Sequence, residues 1–139
     1  PMLDASMGCG SMRCAANDPD QRELAQAAEA AYRLYLPNPA DRLHPYASPL
    51  NARRLGGLPP ALIFHTECDP LADEAKAYAA QLREAGNVAH DVALPPADHL
   101  RDAADRCELT ADDPCVLAMR DFIAHPDSTP LTSPDHSNL

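Results

Sequence analysis

Tryptophan is absent from this 139-residue chain, and phenylalanine and tyrosine together make up only 4% of it. Its core must therefore be built from aliphatic side chains and alanine rather than around large rings. No apolar run approaches the roughly 18–20 residues that a membrane-spanning helix needs. The opening Pro1-Met2-Leu3-Asp4 has neither the basic stretch nor the apolar stretch of a signal peptide. Positive charge is scarce: 11 Lys and Arg face 21 Asp and Glu, for a net charge of −10. An acidic domain repels phosphate backbones and anionic lipid, so nucleic-acid and membrane-surface partners are not expected. The five cysteines include no C-x-x-C pair. Their odd number and irregular spacing point to reduced, structural thiols in a cytoplasmic protein, not to a disulfide framework or a zinc knuckle.

Fifteen prolines punctuate what remains. Residues 1–18 read as a loop. Asp18-Pro19 then gives a helix N-cap and first turn, and Leu24, Ala28, Ala31 and Tyr35 share one face up to Leu36-Pro37. Residues 37–60 form a proline-rich connection, and a connection that long is usually functional or covers a site. Residues 61–67 are apolar and β-prone, and the spacing predicts a helix over 71–85, with Leu71, Ala75, Tyr78, Ala79 and Leu82 in one stripe and Gly86 at its C-terminal end. A second strand over 88–94 completes a βαβ unit, whose strands should be parallel. A short helix over 101–109 is expected next. A last helix is capped by Asp113 and Pro114, with Cys115, Met119, Phe122 and Ile123 facing inward and His125 in its last turn. Residues 126–139 have the composition of a disordered tail. The expected domain is thus residues 1–125.

Asp69 and His99 each follow the C-terminal end of a predicted strand, and in an open α/β sheet catalytic groups gather at that edge. A carboxylate bonded to one imidazole nitrogen fixes the tautomer, and the other nitrogen can then accept a proton from a hydroxyl nucleophile. Spacing alone does not decide this, because an aspartate after a strand also caps helices and loop histidines are common.

Several segments together resemble the C-terminal half of the hormone-sensitive-lipase-like branch of the α/β-hydrolases. They are Leu58-Pro59-Pro60-Ala61-Leu62-Ile63, Asp69-Pro70-Leu71-Ala72-Asp73-Glu74, Tyr78-Ala79 with Leu82 and Gly86, and His44-Pro45-Tyr46-Ala47-Ser48-Pro49-Leu50. Pro1-Met2-Leu3-Asp4 resembles the end of that family's sixth strand. The resemblance spans roughly residues 1–125. It implies an α/β fold, specifically the C-terminal portion of the hydrolase sheet with two parallel strands and flanking helices. It also implies a carboxylic-ester hydrolase acting on short acyl esters, with Asp69 as triad acid, His99 as triad base, and neither metal nor organic cofactor.

Two departures from that pattern stand out. Leu100-Arg101 follows His99, where the family usually has a small or polar residue and then an aromatic. The Gly-x-Ser-x-Gly elbow and the oxyanion loop are not in the chain. Gly8-Cys9-Gly10-Ser11-Met12 lacks the glycine two places after its serine, and Ser48 reads as structural. The expected partners are therefore a small acyl ester and either the missing N-terminal half or a second copy of the chain. The alternative is a non-catalytic remnant or interaction module. Asp73 and Glu74 suit the positive end of a helix. Asp98, His99 and Asp102 lack a third metal ligand of suitable spacing. Cys68 and His65 read as packed residues, and His44, His90 and His136 as loop or surface positions. Tyr32, Tyr35 and Tyr46 are expected in the core, with an acyl pocket as the other use.

Overall fold

The computed structural model describes residues 3–15, 17–66, 69–94 and 110–128. Within them lie helix α1 (Gly10–Ala15), helix α2 (Pro19–Tyr35), two short 3-10 turns (Pro39–Leu43 and Pro49–Asn51), strand β1 (Ala61–Thr66), helix α3 (Ala72–Glu84), strand β2 (Ala89–Leu94) and helix α4 (Pro114–Ala124). The predicted helix over 101–109 and the tail beyond residue 128 lie outside the described residues.

β1 and β2 pair in parallel, from Ala61 opposite Ala89 to Thr66 opposite Leu94. Alternation along the strands sends the two faces to different helices. Ala61, Ile63 and Ala89 pack with Leu55, Tyr78 and Leu82 under α3. Leu62, Phe64, Val92 and Leu94 pack with Cys115 of α4 on the other face. The βαβ unit is thus the one the sequence predicts.

Its helix ends are chemically specified. At the end of α3, Gly86 adopts φ +84°. Its amide donates to Arg83 O and that of Asn87 to Leu82 O, both at 3.0 Å, the paired bonds that close a helix on a left-handed glycine. The Asn87 side chain then holds the preceding loop, donating to Leu55 O at 2.6 Å and accepting from the Leu58 amide at 2.8 Å. The Asp113 carboxylate accepts from the Cys115 amide and Pro114 occupies the first position of α4, as the sequence indicates.

Other expectations need correction. Residues 1–18 are not all loop, since α1 occupies Gly10–Ala15. α2 buries Tyr32, as the chain buries Leu36 just past its end, while Leu24 and Tyr35 are exposed. The inward stripe is rotated from the expected one because α2 packs on Ala5 and Met7 of the N-terminal segment, not on the sheet. α4 buries Cys115 and Ala118 and leaves Met119 and Ile123 outside. His90 is not a loop residue: it lies half-buried in β2, edge-to-face with Phe122. Tyr46 is exposed rather than in the core.

Ser48 is fully buried, and its role is structural as expected. Its hydroxyl accepts from the Ala5 amide at 2.8 Å and donates to Arg42 O at 2.6 Å, so one side chain joins the N-terminal segment to the proline-rich connection. Ser48→Ala strands both partners and is expected to lower stability by about 1–3 kcal/mol. A shift in the urea midpoint measures it, and an unchanged midpoint would mean the two bonds contribute nothing.

Candidate active site

Asp69 lies three residues beyond the end of β1, on the turn into α3. Its amide donates to Thr66 O at 3.2 Å and its carbonyl accepts from the Ala72 amide at 3.0 Å. Its carboxylate Oδ1 accepts from the Leu71 amide at 2.8 Å. This is the local side-chain turn that aspartate favours at a helix start. The carboxylate is half-buried, and Oδ2 has no hydrogen-bond partner among the described residues.

The turn is braced from the N-terminal segment. Ser11 Oγ donates to Pro70 O at 2.6 Å, and Cys9 Sγ reaches the same oxygen at 3.4 Å. The Ser11 amide donates to Asp73 Oδ2 at 2.6 Å. Gly10 permits this approach, because a Cβ there would fall 2.8 Å from Asp73 Oδ2. Glu74 is buried, and its Oε2 accepts from the Leu3 and Asp4 amides at 2.7 and 3.0 Å. Burial raises the Glu74 carboxyl above the usual range, the two amide bonds oppose the shift, and the neighbouring Asp4 charge adds to it. Tyr32 is raised as well, first by burial and then by the Glu74 and Asp4 charges.

Asp73 and Glu74 do stand in the first turn of α3 as the sequence suggests, but they also tie the chain's start to the Asp69 turn. The sequence carried one signal for Glu74. It falls on the buried stripe of α3, between Leu71 and Tyr78 at helical spacing, where an acid needs donors.

His99 lies outside the described residues, as do Cys68, Asp98, Asp102 and His136. Another imidazole and carboxylate do meet on the α3 face of the sheet. His65 is buried, as expected of a packed residue, with Nε2 3.7 Å from Asp91 Oδ2. Arg83 already holds Asp91 at 3.0 Å, and His65 Nδ1 has no hydrogen-bond partner among the described residues. At that distance the pair lacks the short contact of an acid–base relay. Burial and Asp113 push the Cys115 thiol up to about 11, which leaves it a packing residue rather than a nucleophile. Ser11 belongs to α1 and spends its hydroxyl on Pro70, so it is not on a nucleophile turn. Among the described residues no group of three or more His, Cys, Asp or Glu is placed to hold a metal, and no helix is long and apolar enough to cross a membrane.

A parallel βαβ unit with helices on both faces, and a carboxylate where the first strand ends, defines an open α/β-sheet protein. The alpha/beta hydrolase fold family matches residues 1–101, and the chain belongs to that family. It is 41% identical over 75 residues to an ethyl acetate hydrolase of Pseudomonas putida, covering 54% of this chain and 24% of that protein. It is 48% identical over 60 residues to the gibberellin receptor GID1 of Oryza sativa subsp. japonica, covering 40% of this chain and 17% of the receptor. Among solved structures, a variant of the esterase rPPE superposes with a TM-score of 0.65 at 32% identity, covering 87% of this chain and 37% of the esterase. The chain thus spans about a quarter or less of the length of these two curated relatives.

Proposed function

We propose that this chain supplies the acid and base of a serine-type carboxylic-ester hydrolase. Asp69 orients His99. His99 takes the proton from a serine hydroxyl as it attacks the acyl carbonyl, then returns it to the leaving alcohol; water repeats the cycle to free the acid. The serine and the oxyanion donors belong to the upstream half of such a fold, which the sequence here does not contain.

One observation carries this reading: Asp69 follows β1 at the edge of the sheet where β2 also ends, with one carboxylate oxygen unengaged among the described residues. Thr66 and Leu94 are register partners on strands about 4.8 Å apart. His99 follows Leu94 by five residues, a span of at most about 18 Å. The ethyl acetate hydrolase and esterase likenesses support a short acyl ester as substrate. Among the described residues β1 pairs only with β2. Its other edge suits the upstream half of the hydrolase sheet, or else a second copy of the chain.

The test is hydrolysis of 4-nitrophenyl butyrate. The 139-residue chain alone is expected to show no turnover, and joining it to an upstream half that carries the nucleophile should restore it. His99-dependent turnover by the chain alone would overturn the incompleteness, and full activity of the joined protein with His99→Ala would overturn the base assignment. A second reading has one observation in its favour. The receptor likeness shows that text of this kind also occurs in a protein named for binding rather than hydrolysis, and an inactive joined protein would favour that non-catalytic role.

A further inference from the structure

A second concave site lies away from Asp69. An open groove of about 760 Å³ runs between the proline-rich connection and α3, and it is lined by Pro45, Tyr46, Arg53, Arg54, Leu55 and Tyr78 among others. That volume falls within the range of small-molecule sites. The groove belongs to the segment that leads into β1, whereas Asp69 follows its far end. Asp69 is not among the described residues that line it.

The lining has a definite chemical sense. Among the described lining residues there is no carboxylate, in a chain whose net charge is −10. Arg53 and Arg54 are adjacent and exposed, and neither guanidinium has a hydrogen-bond or ion-pair partner among the described residues. Two unspent guanidinium forks suit one oxyanion, which they can hold through paired N–H donors. Tyr46 is 92% exposed and Tyr78 half-buried, with Leu55 and Pro45 adding apolar wall. A tyrosine left that open offers a ring face to a flat or aliphatic body. Long-range repulsion by the acidic chain argues against a polyanion and for a ligand with one small charged head.

We propose that this groove binds a small organic oxyanion, a phosphate monoester or carboxylate carried on an aromatic or aliphatic body. The head lies between Arg53 and Arg54 and the body against Tyr46 and Tyr78. The site is independent of ester hydrolysis at Asp69.

Calorimetric titration of the 139-residue chain with phenyl phosphate tests this. Saturable one-to-one binding is expected, weakened about tenfold or more by Arg53→Gln with Arg54→Gln and a few-fold by Tyr46→Ala. Inorganic phosphate and phenol should each bind at least about tenfold more weakly than phenyl phosphate, because each lacks half of the ligand. Arg120→Gln, on the exposed face of α4, should leave binding unchanged. The substituted arginines are exposed, so circular dichroism should confirm an intact fold. Absence of saturable binding, survival of binding in the double arginine variant, an equal loss in Arg120→Gln, or equal affinity for inorganic phosphate would each overturn the proposal.

Discussion

Replacing Asp69 with asparagine is expected to lower kcat for 4-nitrophenyl butyrate about 10⁴-fold in the joined hydrolase, with little change in KM. The size follows from what a carboxamide cannot do. The substituted side chain would still offer its Oδ1 to the Leu71 amide, so the turn into α3 would keep its 2.8 Å bond. Its other terminal atom would be a donor where the imidazole needs an acceptor, which selects the wrong tautomer and leaves the imidazolium unsupported. Folding should therefore barely register the change while turnover collapses. Asp69→Ala adds the loss of the turn bond, about 1 kcal/mol of stability, to the same catalytic defect. Equal thermal midpoints for wild type and Asp69→Asn, together with the loss in kcat, are the expected result. A loss smaller than about tenfold would remove Asp69 from the triad.

The position of Asp69 after β1 is legible in the sequence because everything around it is local. An apolar β-prone run, a turn, a helix with a glycine stop and a second apolar run are all specified within some thirty residues, and each has a physical signature: period, cap or breaker. β1, α3, β2 and the cap of α4 follow from those signatures with boundaries off by a residue or so. The faces of α2 and α4 do not. Both helices carry apolar residues on more than one side, so the buried side is set by what packs against it. For α2 that is Ala5 and Met7, and nothing in the local text says so. For α4 the sheet takes Cys115, while Ile123 is left out at 80% exposure. The bracing of the Asp69 turn by Cys9 and Ser11 is equally non-local, joining residues some sixty positions apart. The role proposed for His99 rests on the family resemblance more than on its own surroundings, since its five-residue distance from Leu94 limits its reach and says nothing of its direction.

The longest-range of these ties supports the largest stability effect. Glu74→Ala is expected to cost about 2–4 kcal/mol, a large share of the roughly 5–15 kcal/mol that holds a domain together. Its Oε2 takes the amides of Leu3 and Asp4, seventy residues away in sequence, and nothing else among the described residues accepts from them. Removing the carboxyl strands both amides and leaves a void where a buried side chain stood. Faster hydrogen exchange at Leu3 and Asp4 should accompany the lower urea midpoint. Glu74→Gln keeps an acceptor oxygen and discards the buried charge, so its cost should stay within about 1 kcal/mol. The two variants also fix the sign of the pH dependence. Because burial raises the Glu74 pKa in the folded state, its stabilising contribution is complete below the unfolded value of about 4.3 and is lost as pH rises through the folded value. The stability of wild type relative to Glu74→Gln should therefore fall across that window and level off above it, since glutamine does not titrate. A difference that grows with pH would mean the two amides outweigh burial and hold the carboxylate ionised. Equal losses in the two variants would mean that the carboxyl group, not the acceptor geometry, ties the N-terminal segment to α3.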